Sequence, residues 1–221
     1  ATFDEALATL RNNVLMMASL TSRSLDNAFN GLMQRDDDLC ATAIADDEDI
    51  DQLEKQVDKD GIELLLRFQP VASDLRRVVS AMKLSSNLER MGDQAVSIAR
   101  KARKLNQHPP LPETALIEPM RTFSMEMFKD SVDAYVREDV DLGRGLKARD
   151  KTLDEMNAST SRRLIERMAQ DPDQLRGYLN LMFIARHLER VGDHATNIAE
   201  DAVYAAAAED IRHQAAAAVG R

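Results

Sequence analysis

Tryptophan is absent from this chain of 221 residues, aromatic side chains make up 4% of it, and Cys40 is its only cysteine. A single thiol excludes an internal disulfide framework and a thiolate zinc cage, and it suits a reducing cytoplasm. Gly and Pro number only 8 and 6 and cluster at candidate breaks, which leaves long uninterrupted stretches for regular structure. Ala, Leu, Met, Glu, Asp and Arg dominate the remainder, the composition of long helices rather than sheets. No apolar run approaches the roughly 18 residues that cross a bilayer and no charged-then-apolar leader opens the sequence, so a soluble cytoplasmic protein is expected. Acidic residues outnumber basic ones, 38 to 29, and the formal net charge of −9 argues against a nucleic-acid binder that neutralises phosphates with a broad basic face.

What the chain does contain is a phrase written twice. Leu88-Glu89-Arg90-Met91-Gly92-Asp93 returns about one hundred residues later as Leu188-Glu189-Arg190-Val191-Gly192-Asp193. The match extends to Leu75-Arg76, Met82, Ala95, Ile98 and Ala99, which reappear as Leu175-Arg176, Met182, Ala195, Ile198 and Ala199. A second register, shifted by about three residues, aligns Asp36 and Asp38 with Asp139 and Asp141, Asp47 with Asp150, and Ile50-Asp51 with Leu153-Asp154. The chain therefore reads as a tandem duplication of two units of roughly 105 residues. One cationic cluster stands outside the repeat: Arg100, Lys101, Arg103 and Lys104 close a helix where cations complement the dipole, with an anionic partner as the alternative, whereas Glu200 and Asp201 hold the corresponding place.

Apolar periodicity and breakers give six helices. They run from about Phe3 to Gln34, from the acidic turn Asp36–Asp38 to before Pro70, from Val71 to Asn106, from Glu113 to Glu138, from Asp139 to Gln170 and from Pro172 to Ala207. The stiff His108-Pro109-Pro110-Leu111-Pro112 segment cannot continue a helix and separates the halves. The expected fold is all-α: two tandem antiparallel three-helix bundles, residues 1–107 and 112–208, with a C-terminal tail over 209–221. Leu84, Leu88, Met91, Ala95 and Ile98 define the core stripe of the third helix, which turns Glu89 and Asp93 outward onto the bundle surface.

Four acidic pairs share the i, i+4 spacing that stacks two carboxylates on one helix face: Asp47 with Asp51, Glu89 with Asp93, Asp150 with Asp154, and Glu189 with Asp193. If the second and third helices of each half are neighbours, four carboxylates converge on a surface groove, where a hard cation would relieve their repulsion. A solvated acidic face is the alternative that spacing alone leaves open. Ser97 and Asn197, one turn beyond each Asp, are candidate auxiliary oxygen ligands or simply exposed, and His187 and His194 read as ordinary surface histidines. A calcium loop is excluded because Gln52 stands where the turn needs Gly, and a buried di-iron site because Gly92 and Gly192 stand where Glu-x-x-His needs His. Those two glycines, costly inside a helix, imply close packing or access beside the carboxylates.

Gln69-Pro70-Val71-Ala72-Ser73-Asp74-Leu75-Arg76-Arg77, followed by Asn87 to Asp93, resembles the first-half signature of the PhoU proteins. His187 through Glu200 resembles the second-half signature, and the resemblance spans essentially the whole chain. It implies two similar three-helix bundles and metal clusters on their surfaces, of iron, zinc, manganese or magnesium. Carried over, the ligands fall on Asp47, Asp51, Glu89 and Asp93 and on Asp150, Asp154, Glu189 and Asp193. It further implies a regulator rather than an enzyme. Such a protein restrains the phosphate ABC transporter, keeps its sensor histidine kinase quiet and meets the inner membrane face only through those partners, as a homodimer. The rivals are a carboxylate-metal enzyme and a metal-free helical adaptor, and the Asp210-Ile211-Arg212-His213 tail departs from the family pattern.

Overall fold

Aspartate and proline set the helix ends in the computed structural model, which describes residues 1–214. Helix α1 (Phe3–Met33) opens on a capping box between Thr2 and Glu5. The Asp36 carboxylate accepts from the amides of Asp38 and Leu39 to start α2 (Asp37–Phe68), and Asp139 does the same for Leu142 at the start of α5 (Val140–Gln170). Helix α3 (Ala72–Asn106) follows the Pro70 break. The fourth and sixth helices begin later than periodicity suggests. Pro112 and Pro172 each lead a 3-10 segment, over Pro112–Ile117 and Pro172–Gln174, before α4 (Glu118–Arg137) and α6 (Leu175–Ala207) take hold. After α6 the residues to Gln214 form a turn rather than a helix, with Ile211 buried, and the rest of the expected tail lies outside the described residues.

Helices α1 to α3 pack on one another as one bundle and α4 to α6 as another. The stripe expected from the sequence is the core of α3: Leu84, Leu88, Met91, Ala95 and Ile98 are all buried. Met120 and Met127 are buried core residues of the second bundle. Among the described residues no helix is long and apolar enough to cross a membrane.

Two bundles in series understates the architecture, because α3 packs against α6 about as extensively as against α1. The two helices run antiparallel along this seam. His194 Nδ1 lies 3.2 Å from Asn87 Oδ1 and His187 Nδ1 lies 2.7 Å from Gln94 Oε1. Asn87 and Gln94 are the repeat counterparts of His187 and His194, so each bond is the image of the other under an approximate two-fold relation of the halves. The two histidines are thus half-buried seam residues and not ordinary surface ones, and burial lowers the pKa of both, that of His187 to about 4.

Candidate metal centre

The i, i+4 spacing places Asp47 and Asp51 on one face of α2 and Glu89 and Asp93 on one face of α3, and these faces meet along a seam. Gly92 lets them meet. A Cβ there would stand 3.3 Å from Ile50 Cδ1 and 3.4 Å from Asp47 Oδ1, so the bare glycine brings α2 and its first aspartate against α3. In the second half Gly192 does the same more tightly, since its Cβ would stand 2.3 Å from Leu153 Cδ2. Closing the seam draws the carboxylates partly inside, so the expected outward direction holds only for some of them. Asp93, Asp154 and Asp193 are exposed, whereas Asp47, Asp51, Glu89, Asp150 and Glu189 are half-buried.

Within the second seam, carboxylate oxygens of Asp150, Asp154 and Asp193 all lie within 4.8 Å of one another. Crowding and burial show in the proton affinities. Burial, then Asp193 and Asp154, pushes the Asp150 carboxyl up to about 7, and burial raises Glu189 and Asp193 as well. In the first seam burial with Asp51 and Asp93 lifts Asp47 to about 6, and burial with Asp93 lifts Glu89 to about 7. Asp47 Oδ1 and its counterpart Asp150 Oδ1 are buried and have no hydrogen-bond partner among the described residues. Buried acceptors without a donor are uncommon in folded proteins, and here both copies of one repeat position have them.

A model of the PhoU domain matches residues 14–102 and 117–202, once in each half. A phosphate-specific transport system accessory protein PhoU homolog from Pseudomonas aeruginosa is 34% identical over 96% of this chain and 88% of its own length. The chain belongs to the PhoU family. A PhoU homolog from Aquifex aeolicus is 35% identical over 94% of each chain. The crystal structure of PhoU from Pseudomonas aeruginosa superposes with a TM-score of 0.91 at 33% identity, covering 94% of this chain and 100% of that one. The phosphate transport system regulatory protein PhoU from Streptococcus pneumoniae follows at a TM-score of 0.86 and 27% identity, covering 95% and 99%. The two-bundle helical architecture is therefore the PhoU fold.

On this PhoU scaffold Asp150, Asp154 and Asp193 form a close carboxylate group with Glu189 alongside, and in the first half the charges of Asp51 and Asp93 reach Asp47 and Glu89. Ser97 is half-buried and Asn197 exposed, and among the described residues neither makes a hydrogen bond to a carboxylate. One position of each seam escapes a search for acidic pairs. Glu54 lies one turn beyond Asp51, where burial and the charges of Asp58 and Asp51 raise its pKa. Its repeat counterpart, Asn157, donates to Glu189 Oε2 at 3.0 Å. The signal was an i+3 continuation of the α2 acid face, masked because the second copy carries an amide.

Proposed function

We propose that this chain is a PhoU-type regulator of phosphate uptake and phosphate-responsive signalling that holds a metal ion at each acidic seam. The observation that carries the metal reading is the pair of buried, donorless oxygens on Asp47 and Asp150, each surrounded by like charge. The donors fit a hard cation: they are carboxylate oxygens, without thiolate, and the nearby His194 is engaged with Asn87. Magnesium, manganese and iron suit such a set better than zinc. Asp47 and Asp150 would hold the ion from within, with Glu89, Asp51 and Asp93, or Glu189, Asp154 and Asp193, around it. When bound, the ion supplies the positive charge that cancels the repulsion and ties α2 to α3 and α5 to α6. Asn157 steadies Glu189 by its hydrogen bond, and Gly92 and Gly192 keep the facing helices close.

The relatives' names describe accessory and regulatory proteins of phosphate transport, which supports a protein that acts through partners at the inner membrane face rather than by turnover. The phosphate ABC transporter and its sensor histidine kinase are those partners in this reading, met from the cytoplasm by a homodimer. Two surface cavities among the described residues, one beside Met120 and Met156 and the other at the interbundle linker, are lined by none of the eight carboxylates.

Elemental analysis of protein purified without chelator or affinity metal tests the site. Wild type should carry metal, and the Asp93→Ala/Asp193→Ala double variant should lose it while staying helical, because both side chains are exposed. In a bacterium lacking its own PhoU, wild type should restore repression of phosphate-starvation genes at high phosphate. A metal-free wild type showing no heat of binding to magnesium, manganese or iron would discard the metal site and leave the adaptor.

A further inference from the structure

We propose that the groove between the interbundle linker and α6 docks an acidic amphipathic helix of a partner protein. The sequence builds one wall: Leu175, Leu179 and Phe183 recur every four residues, on one face of α6, and are 45%, 37% and 45% exposed. They form an apolar stripe of two turns, about 12 Å long. The core face of α6 is separate, with Tyr178, Leu181 and Ile184 buried. Pro109, Pro110 and Leu111 form the facing wall, and Leu111 Cδ1 is seated where Gly177 lacks a Cβ. The space between is about 860 Å³.

Charge names the occupant. In a chain of net charge −9, Arg35, Lys104 and Arg176 line this groove with Asp173 as its only carboxylate among the described residues, and the Lys101 ammonium lies 4.9 Å from the ring centre of Phe183. None of these cations makes an ion pair among the described residues. The other end of the α3–α6 seam offers an internal control. There Asp201, the counterpart of Lys101, pairs with Lys83, the counterpart of Phe183, and Arg77 pairs with Glu138. The counterparts of Lys101 and Phe183 thus pair with each other at one end, whereas at the other Lys101 lies without a carboxylate beside an apolar stripe; Arg76, the counterpart of Arg176, likewise makes no ion pair among the described residues.

The cations are distributed along the groove rather than gathered at a point, because α3 and α6 run antiparallel: Lys101 lies beside Phe183, Lys104 one turn on, and Arg176 beside Leu175. A single phosphate wants convergent donors, whereas carboxylates spaced along a helix want this distribution. A second copy meeting through this face across a two-fold axis would set the same cations against each other.

The probe is a synthetic sixteen-residue helix with Leu at every third and fourth position and Glu on its flanks, titrated by fluorescence anisotropy in chelator. We expect saturable binding, weakened at least tenfold by Lys104→Glu/Arg176→Glu and by Phe183→Ser, with a Glu→Lys version of the probe regaining affinity for the charge-reversed variant. All three side chains are exposed, so circular dichroism should show unchanged helicity. Equal affinity of both probes for wild type, insensitivity to the variants or absence of binding would overturn the proposal. Displacement by ATP or inorganic phosphate at constant ionic strength would reassign the groove to a small anion. A wild-type dimer dispersed by Phe183→Ser in sedimentation would reassign it to a second copy. Chelator keeps the outcome independent of the metal reading.

Discussion

A Cβ at Gly192 would stand 2.3 Å from Leu153 Cδ2, whereas one at Gly92 would meet nothing nearer than 3.3 Å. Leu153 is fully buried, with Met127 close by, so it cannot swing aside freely. Replacing a mid-helix Gly by Ala gains about 1 kcal/mol of helix propensity, and overpacking a core costs about 1–3 kcal/mol. At position 192 the second effect wins; at position 92 a shift of a few tenths of an ångström suffices and the first offsets it. Gly192→Ala should therefore be less stable than Gly92→Ala by about 1–2 kcal/mol in urea unfolding. Asp150 allows a prediction of the opposite sense. At pH 8 its charge is held in a half-buried acidic cluster, so Asp150→Asn should stabilise the metal-free protein on the order of 1 kcal/mol after solvent screening, or about 2–4 °C by calorimetry, while weakening metal binding.

Helix ends were the most legible elements because they depend on local chemistry. The acidic turns at Asp36 and Asp139 cap α2 and α5 as their residue types require, and each cap replaced by Ala should cost about 1 kcal/mol in urea unfolding. The two losses should add in the double variant, since the caps sit in different bundles. The starts of α4 and α6 were less legible: a proline at the head of a segment is compatible with both an α-helix and a 3-10 turn, and the choice is made by what the chain packs on. Which helices touch was least legible of all. Periodicity shows that a face is apolar and not what covers it, so the α3–α6 seam and the polar pairs of His187 and His194 within it came only from the structure. The eight carboxylates were readable because duplication wrote them twice, whereas Glu54 was lost where its copy became Asn157.

At the scale of the whole molecule, net charge concealed how charge is distributed: an acidic chain crowds carboxylates into two seams and lines the linker groove with cations. The seams should make metal-free protein unusual in its response to pH. Asp47 is lifted to about 6 and Glu89 and Asp150 to about 7, and outside the acidic seams Asp201 is lifted to about 6, all through burial first. Between about pH 4 and these values these carboxyls bind more protons in the folded chain than in the unfolded one, so their contribution to stability is full below about pH 4 and is lost as pH rises through about 6 to 7. His187, lowered to about 4, acts in the opposite sense, because its neutral form is favoured by folding and stability falls with pH below about 6.5. The lifted carboxyls outnumber the lowered imidazoles of His187 and His194, so in chelator the melting temperature at pH 5.5 should exceed that at pH 8. A cation reverses the order, since it competes with protons for the same oxygens and binds when they are ionised. At a hundred times its Kd it adds about 2.7 kcal/mol, which in a chain of this size is roughly 5–10 °C. Calorimetry with and without manganese at both pH values should show that rise at pH 8 and little of it at pH 5.5. An equal rise at both, or a metal-free protein more stable at pH 8, would mean that the seams do not hold their protons or their metal in the way their geometry implies.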